Sequence, residues 1–329
     1  MLSQTNHGMK NAIKIVIKAF VGGGVVWYVL SSRMVDFTSL GEIIFKPSNV
    51  TIGLGFLSIT VLCCATRWYL LVKAQGLSLS FGKLFQLTMI GNFFNTFMPG
   101  SVGGDLVKAW YVIGHEPQRK TKAVFTVLLD RIIGLSVIIF YAAGTLAIYH
   151  RWVDGRKELQ LLGYIIWTFT VCSFAALILF FSPWFSSRGR FFDFLRRFKS
   201  VAKIIDATLL YQKQLPTIAF AVALSATSIL ATNIFCSIEG SAIGITMSVS
   251  KYFFIVPIAL TVSAIPLLPG GIGVGQVAFF TLFQWVGIPN PEKGGALATL
   301  FQMYNIMFSL IGGIIYLRFK RAPHSFVQT

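Results

Sequence analysis

Apolar runs without a charged side chain alternate with short charged segments along the whole sequence. A helix that crosses a bilayer needs about 20 predominantly apolar residues, and several of these runs have that length. The pattern therefore predicts an all-α polytopic membrane protein with about six full spans. We place the spans at residues 15–32, 47–66, 123–149, 159–182, 214–238 and 294–317.

Two further apolar segments, 84–118 and 252–291, do not fit single spans. The charge-free run 252–291 has 40 residues, and a helix of that length is about 60 Å long, or twice a hydrocarbon core of about 30 Å. A Pro-Gly motif lies near the middle of each segment, at 99–104 and 269–275. The two segments are predicted to be re-entrant hairpins or pairs of short crossings. The alternative is that proline and glycine only kink ordinary spans, as is common in membranes.

Composition agrees with this class, since 55% of the residues are hydrophobic and only 12% are charged, against about a quarter in soluble domains. The net charge of +17 is concentrated in alternate loops. Because cytoplasmic loops carry the excess of Lys and Arg, both termini are predicted to be cytoplasmic. The charge is therefore a topology signal whose natural partners are anionic lipid headgroups, not nucleic acid.

One cytoplasmic segment, 188–213, holds seven basic residues with apolar residues interleaved. That pattern is typical of an amphipathic helix lying on the inner membrane surface. A solvated loop with no further role is the alternative.

The two Pro-Gly motifs align with each other at an offset of 170 residues, so that Pro99-Gly100 lies over Pro269-Gly270. The charge-derived topology gives the two motifs opposite orientations. We therefore predict one transmembrane domain, 1–329, built as an inverted repeat with halves at about 10–150 and 158–321. Transporters with this plan bind their substrate at the repeat interface.

The broken backbone itself predicts a binding site. Amides and carbonyls left unpaired at a break must face protein or a hydrated cavity, because lipid cannot satisfy them. A helix that restarts after a break presents free N–H groups, which suit a phosphate headgroup. The predicted backbone contacts are Gly100, Ser101, Gly103, Gly104, Gly270, Gly271 and Gly273.

Charged residues inside a span are the other candidates, because they are costly there and usually functional. Asp130 and Arg131 lie in the span 123–149, about 100° apart on the helix, so they are not expected to pair with each other. Arg131 is predicted to hold a phosphate or to bridge to Asp105, and a purely structural ion pair is the alternative. Asp105 is expected either to tune the site or simply to complement the dipole of a first helical turn.

Asn92 and Asn95 precede the first break by seven and four residues, so they share one helical face. They are predicted to satisfy the broken backbone, to line the cavity, or both. Gln276 is the corresponding candidate in the second half, with Gln302 and Asn305 as further polar counterparts. No catalytic nucleophile, metal-ligand spacing or cofactor motif is found, so no catalytic residue, metal or cofactor is predicted.

An ordered set of motifs resembles the lysylphosphatidylglycerol synthase transmembrane family, whose members are also called flippase-like or UPF0104 proteins. The motifs are Arg67-Trp68, Asn95-x-x-x-Pro99-Gly100-Ser101-x-Gly103-Gly104-Asp105, Asp130-Arg131-x-x-Gly134 and Pro266-x-x-Pro269-Gly270-Gly271-Ile272-Gly273. The resemblance implies a lipid flippase of the bacterial inner membrane, which moves an anionic phospholipid or a polyprenyl-phosphate-linked envelope precursor between leaflets. It does not favour an enzyme, and a lipid-modifying synthase is the implied partner.

The sequence departs from the family at two positions. The family commonly has Glu after the second glycine motif and Arg in the last span, where this chain has Gln276 and approximately Gln302. Joint neutralisation is expected if the two charges normally pair. Two other hypotheses stay open, namely a membrane-embedded transferase acting on lipid-linked substrates and a non-transporting partner of an envelope-lipid synthase.

Overall fold

The computed structural model describes residues 46–98, 102–181, 199–265 and 271–319. These ranges contain α-helices and connecting turns, with no β-strand among them. The α-helices are α1 (Pro47–Ala74), α2 (Phe81–Phe97), α3 (Gly103–His115), α4 (Lys120–Ile148), α5 (His150–Val153), α6 (Lys157–Phe181), α7 (Lys199–Gln212), α8 (Leu215–Ala242), α9 (Val249–Ser263), α10 (Val274–Val286) and α11 (Glu292–Arg318).

Five of these helices are long and apolar enough to cross a membrane, namely α1, α4, α6, α8 and α11. They confirm five of the predicted spans, and the predicted span 15–32 lies outside the described residues. The most peripheral is α6, which exposes Leu161, Tyr164, Phe169 and Val171. A Ser136–Ser173 hydroxyl contact of 2.8 Å joins α6 to α4. So many large exposed apolar side chains fit a helix that faces lipid.

The helix that contains the second predicted span continues past Thr66 to Ala74. Arg67 lies inside this helix with 8% of its surface exposed. Lys108 is buried in α3 with its ammonium 5.0 Å from the centre of the Trp68 ring. Both cations have partners inside the protein, which a count of charges along the sequence does not detect.

Each predicted hairpin contains two short helices, α2 with α3 and α9 with α10. They have 17, 13, 15 and 13 residues, so each is about 20–25 Å long and shorter than the hydrocarbon core. The two helices of each pair pack against each other. Residues 99–101 and 266–270, which contain the Pro-Gly dipeptides, lie outside the described residues.

The two halves pack in equivalent ways. Helix α2 packs on α11, and its counterpart α9 packs on α4, while α1 and α8 pack directly on each other. They run antiparallel. Leu71 near the end of α1 lies in the same buried cluster as Ala221 near the start of α8, whereas Leu57, nearer the start of α1, lies in the cluster that contains Phe235 near the end of α8. In an inverted repeat, equivalent helices of the two halves run in opposite directions, as α1 and α8 do here.

Helix α7 confirms helical structure for the described part of the basic segment, whereas 188–198 lies outside the described residues. Its last turn docks on the end of α1, since the Tyr211 hydroxyl donates to the Leu71 carbonyl at 2.8 Å. The Gln75 amide donates to the Ala207 carbonyl at 2.8 Å. This helix is therefore fixed to the bundle at the end that the charge pattern assigns to the cytoplasm.

Candidate functional site

A cavity of about 410 Å³ lies between the two halves. Both helix pairs contribute to its wall, as do the spans α1, α4 and α11. Its polar lining consists of Thr60, Asn92, Asn95, Thr96, Arg131, Ser263, Gln302, Asn305 and Ser309, and the rest is mostly apolar. A pocket of this size, with few polar groups on an apolar wall, is typical of a site for an organic ligand.

Asn95 closes the first break on the side of α2. Its Oδ1 accepts a hydrogen bond from the Gly104 amide at 2.8 Å, so it satisfies one of the first N–H groups of α3. Both Asn92 and Asn95 also line the cavity. The two predicted roles of Asn95 therefore occur together, and the Gly104 amide is not free for a headgroup.

Gly104 is required where α3 crosses α2. A Cβ atom at this position would overlap the carbonyl group of Gly91. Small residues permit such close backbone approach between helices in membranes. Gly103 is also buried, with the Met98 side chain against it.

Arg131 lines the cavity from α4, and its Nη1 donates to Asp105 Oδ2 at 2.5 Å. Of the two predicted roles for Arg131, the bridge to Asp105 is therefore present. The pair is only partly shielded, with 31% of the arginine side chain and 17% of the aspartate side chain exposed. A phosphate entering the cavity would meet this guanidinium.

Asp130 faces away from Arg131, as predicted, and pairs with Arg67. The Arg67 Nε donates to Asp130 Oδ1 at 2.6 Å, and its Nη1 donates to Ser225. Gly134 leaves room for the guanidinium, since a Cβ there would lie 3.1 Å from Arg67 Nη1. Asp130 does not line the cavity, and its geometry is that of a buried tie between α1, α4 and α8.

The residues just before α10 include two glycines with positive φ, a backbone conformation that residues with a side chain rarely adopt. Gly271 has φ +70° and Gly273 has φ +84°, which favours glycine at both positions. Gln276 Oε1 accepts a hydrogen bond from the Gly273 amide at 2.7 Å and so caps α10. Gly271 and Gly275 lie on the cavity wall.

Gln276 also donates through Nε2 to Gln302 Oε1 at 2.7 Å. This contact corresponds to Asp105–Arg131, because Asp105 and Gln276 are the third residues of α3 and α10. The members of each pair are 26 residues apart. Each half therefore has a bridge from the helix after the break to its last span, charged in the first half and neutral in the second.

The structure thus brings together Asn92, Asn95, Arg131 and Gly271 at one cavity. Five further candidates are described but do not line the cavity, namely Asp105, Gly103, Gly104, Gly273 and Gln276. Three others lie outside the described residues, namely Gly100, Ser101 and Gly270. Sequence reasoning did not select Arg67 as a site residue. The available signal was the position of Arg67 beside the uninterrupted apolar run that starts at Pro47.

Comparison with known proteins gives a consistent result. Residues 15–313 match the family described as the lysylphosphatidylglycerol synthase TM region. A UPF0104 membrane protein of Pyrococcus horikoshii is 26% identical, with 95% of this chain and 98% of that protein aligned. A second UPF0104 membrane protein, of Methanocaldococcus jannaschii, is 28% identical over 35% of this chain and 34% of its own length.

Proposed function

This chain belongs to the lysylphosphatidylglycerol synthase transmembrane family, and we propose that it is a lipid translocase that moves a phosphate-bearing lipid between the leaflets of its membrane. The observation that carries the proposal is the cavity between the two halves. The helix pair of each half reaches this cavity, so one ligand there would contact both. Inverted repeats of transporters bind their substrates in this position.

The lining supports a headgroup as the transported part. The lining combines amide and hydroxyl groups with apolar side chains, and Arg131 supplies a guanidinium. Arginine binds phosphate through several N–H donors in a planar fork. Acyl or prenyl tails would remain in the bilayer while the headgroup occupies the cavity.

The Asp105–Arg131 bridge would compete with a headgroup for the guanidinium. The Asp105 carboxylate accepts a hydrogen bond from Arg131. A phosphate group would replace that carboxylate as the acceptor, which loosens α3 from α4 as the substrate binds. Charge exchange of this kind links occupation of the cavity to movement of the helix after the break.

The second half has no such exchange, because Gln276 and Gln302 are neutral. The headgroup contacts therefore lie on the first half, and the second half supplies a neutral closing contact. The substrate is an anionic phospholipid or a polyprenyl-phosphate-linked precursor. We propose a bacterial inner membrane location with both termini cytoplasmic.

Reconstitution of the full chain in liposomes tests the proposal. Labelled anionic phospholipids and polyprenyl phosphates are placed in one leaflet, and their accessibility to an external quencher is followed with time. The expected result is faster exchange than in protein-free liposomes for at least one of these lipids. Equal rates for all of them would contradict the proposal, and a chemically altered lipid would support the transferase hypothesis instead.

A further inference from the structure

Glu239 is fully buried near the end of α8, with none of its surface exposed. Neither carboxyl oxygen has a hydrogen-bond partner within the described ranges. The ion pairs found in the same ranges are Arg67–Asp130 and Arg131–Asp105, so none involves Glu239. The mechanism proposed above does not use this group.

The surroundings of Glu239 are closed and contain two tyrosines. Tyr304 of α11 packs its ring on Phe235, one turn before Glu239 on α8. It is 2% exposed, and its hydroxyl has no hydrogen-bond partner among the described residues. Cys236 lies one turn earlier on α8. Tyr252 of α9 lies against Gly240 and beside Ser241.

Charged side chains on the neighbouring helices form no ion pair with Glu239 among the described residues. The Lys293 ammonium donates to the Gly244 carbonyl at 2.8 Å. Lys251 precedes Tyr252 in α9, and Glu292 begins α11. None of them lies within 4.0 Å of Glu239 as an ion pair. Helix α1 contributes Gly53, which packs on the Tyr304 ring and carries no titratable group.

An ionised carboxylate is unstable in such a place. Burial of a charge without a partner is costly, and the group becomes neutral by taking up a proton. A protonated carboxyl carries no charge, so burying it without a hydrogen-bond partner costs less than burying the carboxylate. Among the described residues no cationic side chain lies in ion-pairing range of Glu239, so these surroundings suit the neutral acid.

From this geometry we propose that Glu239 is a proton-binding site, protonated in this conformation, whose deprotonation separates α11 from α8. Loss of the proton creates a carboxylate that requires water or a cation. Water can reach it only if α8, α9 and α11 move apart. The balance of the step is simple, because one proton leaves the carboxyl oxygen for solvent and returns to it.

The position of Tyr304 connects this site to the cavity. Helix α11 carries Tyr304 and, within one turn, the cavity residues Gln302 and Asn305. Movement of α11 away from α8 would therefore change the wall of the cavity and the Gln276–Gln302 bridge. The proton site itself does not depend on lipid translocation, and only its coupling to transport rests on the proposed function.

Infrared difference spectroscopy of the reconstituted full chain tests the proton site. The carboxylic-acid C=O stretching band of the wild type near neutral pH should be lost in Glu239→Gln and retained in Glu158→Gln, which carries the same change at an exposed position. Tyr304→Phe should retain this band, because the Tyr304 hydroxyl makes no hydrogen bond to the carboxyl. Loss of the band from the wild type when sodium replaces a large organic cation would show a metal-cation site and overturn the proposal, as would its absence at neutral pH.

Liposomes with an imposed pH gradient test the coupling. Lipid exchange by the wild type should change with the gradient, and exchange by Glu239→Gln should not. If no lipid exchanges in any condition, the proposed function fails while the infrared result still decides the proton site. A gradient-independent rate in the wild type overturns the coupling.

Discussion

Gln276 donates to Gln302 at the positions that correspond, in the first half, to Asp105 and Arg131. The neutral pair keeps the geometry of the charged one, joining the helix after a break to the last span of its half. It also keeps a second role, because Gln276 caps α10 through the Gly273 amide. Each half thus has an equivalent contact, which is ionic in the first half and neutral in the second.

Restoring charge to the second pair should depend on both residues together. Gln276→Glu alone places a carboxylate at a position that is 5% exposed, and Gln302→Arg alone adds a cation without its partner. Each single change should destabilise the protein by about 1–3 kcal/mol, as expected for a partly shielded unpaired charge. The double variant should recover most of this loss, which thermal unfolding in detergent measures as a coupling energy. Additive losses would show that the two side chains are not paired.

Removal of the guanidinium from the cavity should slow lipid exchange strongly. Arg131→Ala is expected to lower the initial rate in liposomes by at least about tenfold, which corresponds to about 1.4 kcal/mol and is modest for a charge-assisted contact. Arg131→Lys should retain part of the rate, since it keeps the charge and loses the planar fork.

The matched control for this experiment is Arg151→Ala. Arg151 is an exposed arginine in α5, away from the cavity, so its removal should leave the rate unchanged. An unchanged rate in a folded Arg131→Ala protein would remove Arg131 from the site.

Much of the architecture could be predicted from the sequence, because hydrophobic length and loop charge are local signals. The spans at 123–149 and 294–317 agree closely with α4 and α11. The breaks were also predictable, since Pro-Gly cannot continue a regular helix. Family membership followed from the order of the same motifs.

The charged contacts were less predictable, because they depend on how distant helices pack. Arg67 and Asp130 are 63 residues apart, and the sequence of α1 alone does not distinguish a buried arginine from one at a helix end. Asp105–Arg131 was one of two alternatives for the same reason. Glu239 was not selected at all, because it stands near the end of an apolar run beside ordinary loop residues.

The close crossing of α2 and α3 should be sensitive to one methyl group. Gly104→Ala places a Cβ against the Gly91 carbonyl, and backbone atoms cannot move aside as a flexible side chain can. We expect a loss of about 1–3 kcal/mol in unfolding free energy, as for other overpacked sites. Slower lipid exchange should accompany it, because the helix after the first break would shift.

Gly144→Ala is the control for this prediction. Gly144 lies in α4 with no heavy atom within 4 Å of an added Cβ, so alanine should be neutral there or stabilise the helix by up to about 1 kcal/mol. Thermal unfolding of the two variants in the same detergent makes the comparison. Equal effects would show that the Gly91–Gly104 approach does not limit stability.

The Arg67–Asp130 pair should matter for folding more than for transport, because it is buried behind the cavity. Asp130→Asn leaves the Arg67 guanidinium buried without a counter-charge, and breaking a buried pair in this way costs about 3–5 kcal/mol. Replacing both partners, as Arg67→Gln with Asp130→Asn, removes the stranded charge and should recover a large part of that loss. Thermal unfolding in detergent measures the recovery. Lipid exchange by the reconstituted double variant distinguishes a structural role of the pair from a contact with the substrate. Exchange close to the wild-type rate would support a structural tie between α1, α4 and α8, whereas a stable double variant without exchange would place the Arg67–Asp130 pair in the transport mechanism itself.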